Sequence, residues 1–176
     1  AAFLGGLNPF GTVLASFFIQ HITAGGAYVD KTMYIPELEK QARYLIFIRP
    51  RRFGKSIFQG MLHAYYDCRT KHKFQQWFGD LWIGKHPTPL QGRYQVMHLD
   101  FSQVGGNIDN LEEKFNFYMG VQLDGFVRDY AEFYSDELRQ KVNATQDAGG
   151  KLALIQNEAK VKEYPLYLII DEYDNF

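Results

Sequence analysis

The chain has 176 residues, 46% of them hydrophobic and 16% aromatic, enough to bury the core of one domain or most of one. A formal net charge of −1 excludes a global basic field of the kind that draws proteins onto nucleic acid, so any such contact must come from a local patch. The single cysteine, Cys68, excludes an intrachain disulfide and fits a reducing, cytoplasmic setting.

Residues 1–27 read as an N-terminal extension. The apolar stretch Phe3 to Ile22 is interrupted by Gly5, Gly6, Asn8, Pro9 and Gly11, and its longest run, Val13 to Ile19, is too short for a bilayer, which takes about 20 apolar residues. It also lacks the positively charged start of a signal peptide, so no membrane partner is expected. Gly25 and Gly26 precede Tyr28-Val29-Asp30-Lys31-Thr32, where the organised domain, residues 28–176, begins. Ile35 to Lys40 then predicts a short helix with Pro36 in its first turn.

Tyr44-Leu45-Ile46-Phe47-Ile48 is a strand-like run, and Arg49-Pro50-Arg51-Arg52-Phe53-Gly54-Lys55-Ser56 follows it. Three of the four fixed positions of a phosphate-cradling loop are present in Gly54, Lys55 and Ser56, with Arg49 where the first glycine would stand. Each retained residue has a physical task. Gly54 lets backbone approach phosphate, Lys55 reaches the β- and γ-phosphates as a catalytic cation, and the Ser56 hydroxyl ligates Mg²⁺. The following helix adds unpaired N–H groups and the positive end of its dipole. Arg51, Arg52 and Phe53 complete the candidate nucleotide-binding loop. Taken alone, the tripeptide and the arginines also fit a chance match or a solvated basic patch.

The loop leads into a predicted helix over residues 56–66, whose apolar residues Ile57, Phe58, Met61, Leu62, Tyr65 and Tyr66 form two adjacent rows. His63, Cys68 and His72 lie close together but lack a zinc spacing and a fourth ligand. Residues 71–85 predict a short helix and a connector, with Trp77 and Trp82 serving the core rather than a ligand surface. Strand two is Tyr94 to Leu99. Asp100 at its end either bonds the following turn or helps hold a metal's water shell, since open α/β sheets place ligands at that edge. Asp109, with Glu112 three residues on, predicts a capped helix that Gly120 and Gly125 weaken. A further helical stretch runs through Phe126, Tyr130 and Leu138 to a break at Gly149-Gly150, and a short helix covers Lys151 to Val161.

Leu166-Tyr167-Leu168-Ile169-Ile170 is an apolar run of buried parallel-strand type that ends in Asp171-Glu172. Beside a phosphate loop, Asp171 is the candidate metal partner and Glu172 the candidate catalytic base for the attacking water. Strands alternating with helices imply an α/β fold with a mostly parallel sheet and helices on both faces.

Four landmarks now stand in order: Tyr28 to Thr32, Arg49 to Ser56, His98-Leu99-Asp100-Phe101-Ser102, and Leu168-Ile169-Ile170-Asp171-Glu172-Tyr173-Asp174. Together they resemble the bacterial AAA-ATPase-like domain family, in which Arg-Pro-Arg-Arg-Phe-Gly-Lys-Ser is a typical wording of the loop. The resemblance covers about Tyr28 to Phe176, while residues 1–27 do not resemble the family's usual start. It implies a P-loop NTPase three-layer sandwich truncated after its Walker B strand, so that residues 28–176 would be the N-terminal part of the domain. It also implies ATP and Mg²⁺ as cofactors, with Walker A at Gly54, Lys55 and Ser56 and Walker B at Asp171. Family members often carry a C-terminal nuclease-like domain. The function implied is Mg²⁺-dependent ATP binding, with hydrolysis in the full-length protein and weak or absent turnover in this fragment. The alternatives are a nucleotide-dependent switch with little turnover, or the ATPase module of a nuclease-linked protein that touches nucleic acid through Arg51 and Arg52.

Overall fold

The computed structural model describes residues 30–41, 44–46, 48, 54–104 and 108–173. Among the described residues it is a mixed α/β structure in which helices predominate and one two-stranded parallel sheet forms. The chain divides into two compact units, residues 1–66 with 70–92, and residues 67–69 with 93–176.

In the first unit, α1 (Ile35–Glu39) carries Pro36 in its first turn as predicted. Helix α2 (Lys55–Tyr66) starts one residue ahead of the sequence expectation. It buries Met61, Leu62, Tyr65 and Tyr66 and leaves Ile57 exposed. Tyr65 is the hub of the packing, meeting Tyr66, Phe74 and Phe78 edge-on at centroid distances of 5.1, 6.0 and 5.7 Å. The region predicted as one short helix and a connector holds two short helices, α3 (Phe74–Phe78) and α4 (Trp82–Lys85). Phe78 and Ile83 are the buried residues there, whereas Trp82 is partly exposed and stacks on His86. An indole wide enough to cover His86 need not be swallowed by the core.

Asp30 ties this unit together. Its carboxylate accepts the Thr32 N–H at 2.8 Å, the Thr32 hydroxyl at 2.7 Å and the Trp82 N–H at 2.7 Å, and Thr32 Oγ1 accepts the Ile83 N–H. Burial pushes the Asp30 carboxyl up, but the hydrogen bonds from Thr32 and Trp82 outweigh it and hold the group below its ordinary value. The Asp30 to Thr32 part of the first landmark is therefore a structural clasp.

The strand predicted over Tyr44 to Ile48 does not form among the described residues. Tyr44, Leu45, Ile46 and Ile48 lie outside any strand and are exposed. β-branched residues favour a pleated surface only when neighbours pack against it, and this run has no strand partner among the described residues.

In the second unit, β1 (Gln95–Asp100) and β2 (Leu166–Asp171) pair in parallel from Gln95 opposite Leu166 to Asp100 opposite Asp171. Tyr94, the predicted first residue of the strand, stands outside it in an isolated bridge to Asp67. The strands are joined through α5 (Leu111–Asp129), α6 (Asp136–Ala144) and α7 (Ala148–Val161), as a parallel crossover demands. The core draws on Met97 and Leu99 of β1, Met119, Leu123 and Phe126 of α5, Val142 of α6 and Ile155 of α7. Tyr130 closes one edge of β1: its hydroxyl accepts the Val96 N–H at 2.8 Å and donates to the Val96 carbonyl at 3.3 Å. Lys151 is buried and pairs with Asp124 at 2.5 Å.

Three helix boundaries differ from expectation. Asp109 does not cap α5, since Ile108–Asn110 is a 3₁₀ turn and Asn110 stands at the cap without a side-chain bond. Helix α5 runs unbroken through Gly120 and Gly125, because its buried face outweighs the propensity cost of about 1 kcal/mol per glycine. Gly149 and Gly150 open α7 instead of breaking a helix: Asp147 caps it by accepting the Gly150 N–H at 2.6 Å. With two strands among the described residues, the α/β class and the parallel pairing are seen, and the wider three-layer sheet is not.

Candidate functional site

Of the loop residues singled out from sequence, Arg51, Arg52 and Phe53 lie outside the described residues, and Gly54, Lys55 and Ser56 are described. Gly54 has φ +75, a left-handed conformation that glycine takes without the steric cost of a Cβ. Among the described residues, a Cβ built there would meet nothing within 4 Å. The Gly54 carbonyl accepts the Phe58 N–H at 3.0 Å and so closes the first turn of α2.

Lys55 and Ser56 are the first residues of that 12-residue helix, Lys55 half-buried and Ser56 exposed. The first turn carries no acidic side chain that would compete for an anion. The first N–H groups of a helix have no acceptor within it, and they carry the positive end of the macrodipole. A glycine in the left-handed region, a cation, a hydroxyl and a helix N-terminus therefore follow one another directly. That is the donor set a phosphate group requires.

In the second unit, both strands end in aspartate. Asp100 and Asp171 are register partners, and neighbouring strands run about 4.8 Å apart. Asp171 is 8% exposed, and its Oδ1 accepts the Glu172 N–H at 2.9 Å. Glu172 sits at φ +50, a conformation that costs a non-glycine residue on the order of 1 kcal/mol. Asp100 is exposed. Its Oδ1 accepts the Ser102 N–H at 2.9 Å, and its own N–H donates to the Tyr118 hydroxyl at 3.0 Å. Phe101 packs edge-on against Phe115 and Tyr118, which anchors this strand end to α5.

These donors are oxygens, the chemistry that hard cations prefer. Among the described residues no group of three or more His, Cys, Asp and Glu side chains could hold a metal alone. Mg²⁺ bound together with phosphates needs only one or two carboxylates, so the residues present fit that mode and not an all-protein cage. Cys68 offers no nucleophile, because burial, with the Asp67 charge beside it, pushes its thiol up to about 12.

Sequence reasoning found both strand-end acids but not their direct pairing. The signal was present in two five-residue strand-like runs, Gln95 to Leu99 and Leu166 to Ile170, each closed by Asp.

A family model described as a predicted AAA-ATPase matches residues 14–176, opening ahead of Tyr28 and taking in all four landmarks. No curated protein and no solved structure matches the chain. Among the described residues no helix is long and apolar enough to cross a membrane.

Proposed function

The chain belongs to the AAA-ATPase-like family, and from that premise we propose that it is a cytoplasmic ATP-binding domain of P-loop sandwich fold that supports Mg²⁺-dependent ATP hydrolysis. The observation that carries this reading is Gly54 at φ +75, at the N-terminus of a helix that begins Lys55-Ser56. In this assignment the Gly54 backbone and the first N–H groups of α2 bind the phosphates. Lys55 supplies charge to the β- and γ-phosphate oxygens, and Arg51, Arg52 and Phe53 complete the loop around the nucleotide. Ser56 and Asp171 hold Mg²⁺, which when bound neutralises charge developing on the phosphate oxygens.

Glu172 follows Asp171 directly and serves as the base. As the water oxygen bonds to the γ-phosphorus and the bond to the β–γ bridging oxygen breaks, Glu172 accepts the water's proton and ADP leaves with the bridging oxygen. Two variants separate the roles. Lys55→Ala loses Mg·ATP binding in calorimetry, whereas Glu172→Gln, made in the full-length protein, keeps binding and loses turnover. Unchanged binding in Lys55→Ala sinks the phosphate assignment, and unchanged turnover in Glu172→Gln sinks the base.

A second reading, ATP as a conformational switch with little turnover, is favoured by the stacked Trp82 and His86 on the surface of the first unit, an aromatic face that a partner domain can use. Rapid multiple-turnover hydrolysis counts against it.

A further inference from the structure

Resting on the reading of Lys55 as the phosphate-binding cation, we infer that Gln59 is a positioning residue for it: the Gln59 side-chain oxygen accepts a hydrogen bond from the Lys55 ammonium while that cation meets the nucleotide phosphates. Gln59 follows Lys55 by four residues in α2, so the two stand one turn apart on the same face. Helix side chains lean toward the N-terminus, which lays Gln59 back over the turn that Lys55 begins. Both residues are half-buried, whereas Ser56 lies further round the helix and is exposed.

The observation that carries the inference is Gln59 Oε1, which is buried and has no hydrogen-bond partner among the described residues. A buried amide oxygen left without a donor is costly, and natural structures keep few such atoms. From Gly60 to Tyr66 every residue of α2 is buried, so Gln59 stands where the enclosed body of the helix meets its first turn. His63, one turn further along this face, is buried too and gives Gln59 Oε1 no hydrogen bond. The donor that fits comes from the other direction. A lysine ammonium has three N–H donors, and phosphate oxygens that take one or two of them leave another to place. An amide oxygen satisfies it without neutralising the charge that the phosphates need. A carboxylate would neutralise that charge, and the first turn of α2 carries none.

The test combines calorimetric ADP affinity, urea unfolding and side-chain NMR on the protein and on Gln59→Met, which keeps the length of the residue and removes its acceptor. The variant is expected to bind ADP about tenfold more weakly, the loss of one hydrogen bond to a charged group, with a urea midpoint unchanged or higher because an unmet polar atom has left the interior. A purely structural Gln59 gives the reverse, unchanged affinity with a lowered midpoint, and that result overturns the inference. In the unaltered protein, ADP is expected to move the Gln59 side-chain carbonyl carbon downfield and to slow exchange of the Lys55 ammonium protons with water, and Gln59→Met loses that slowing. A Gln59 carbonyl signal that ADP leaves in place also overturns the inference, and it decides alone if the variant does not fold. If the unaltered protein binds no ADP, or Lys55→Ala binds it undiminished, the phosphate reading itself falls and takes this inference with it.

Discussion

Replacing Gly54 by alanine separates the backbone role of this residue from its ligand role. At φ +75 an alanine pays the left-handed penalty of about 1 kcal/mol. The described residues add no steric term, because none of them lies within 4 Å of a Cβ at this position. For a chain of this size that penalty lowers the melting temperature by about 2–4 °C. The nucleotide tells a different story: in the proposed site phosphate must approach the Gly54 backbone, and a methyl group there keeps it out. ADP affinity by calorimetry is therefore expected to fall more than tenfold, beyond the factor of about five that 1 kcal/mol of backbone strain could produce. A variant with the small melting shift and unchanged ADP affinity would refute the reasoning, because the Gly54 backbone would then not be the phosphate seat.

Alkaline stability is a second readout. Burial holds the Tyr130 and Tyr134 hydroxyls above their ordinary value near 10 and the Cys68 thiol at about 12 against an ordinary 9. The folded chain keeps these protons where the unfolded chain gives them up, so their contribution is complete below about pH 9 and is lost as pH climbs toward 12. Urea midpoints are expected to fall above about pH 9 and to fall less steeply in Tyr130→Phe; midpoints that rise up to about pH 11 contradict this. Lys151→Ala is expected to cost about 2 kcal/mol in urea unfolding, from lost packing and a stranded partner charge. The cost stays below that of a fully buried pair because Asp124, with 42% of its side chain exposed, can rehydrate. A loss under about 0.5 kcal/mol would show that the pair adds nothing.

Elements governed by local pattern were legible in the sequence. The apolar rows of α2, the Pro36 start of α1 and the two strand-like runs that became β1 and β2 were read within a residue of their bounds. Elements decided by competing or distant contacts were not. Tyr44 to Ile48 has the composition of a strand, yet its described residues lie outside one. Gly149 and Gly150 look like a break, yet the Asp147 carboxylate turns the same residues into a helix start. For the site, the glycine-lysine-serine pattern singled out Gly54, and its left-handed φ of +75 is seen in the structure. The pairing of Asp100 with Asp171 is a register that no local window contains.

Calorimetric titration of ADP into the protein, with and without Mg²⁺, tests the nucleotide reading most directly. The account predicts one saturable site that Mg²⁺ tightens and that Lys55→Ala abolishes. Absence of binding, or binding indifferent to both Mg²⁺ and Lys55, would contradict it.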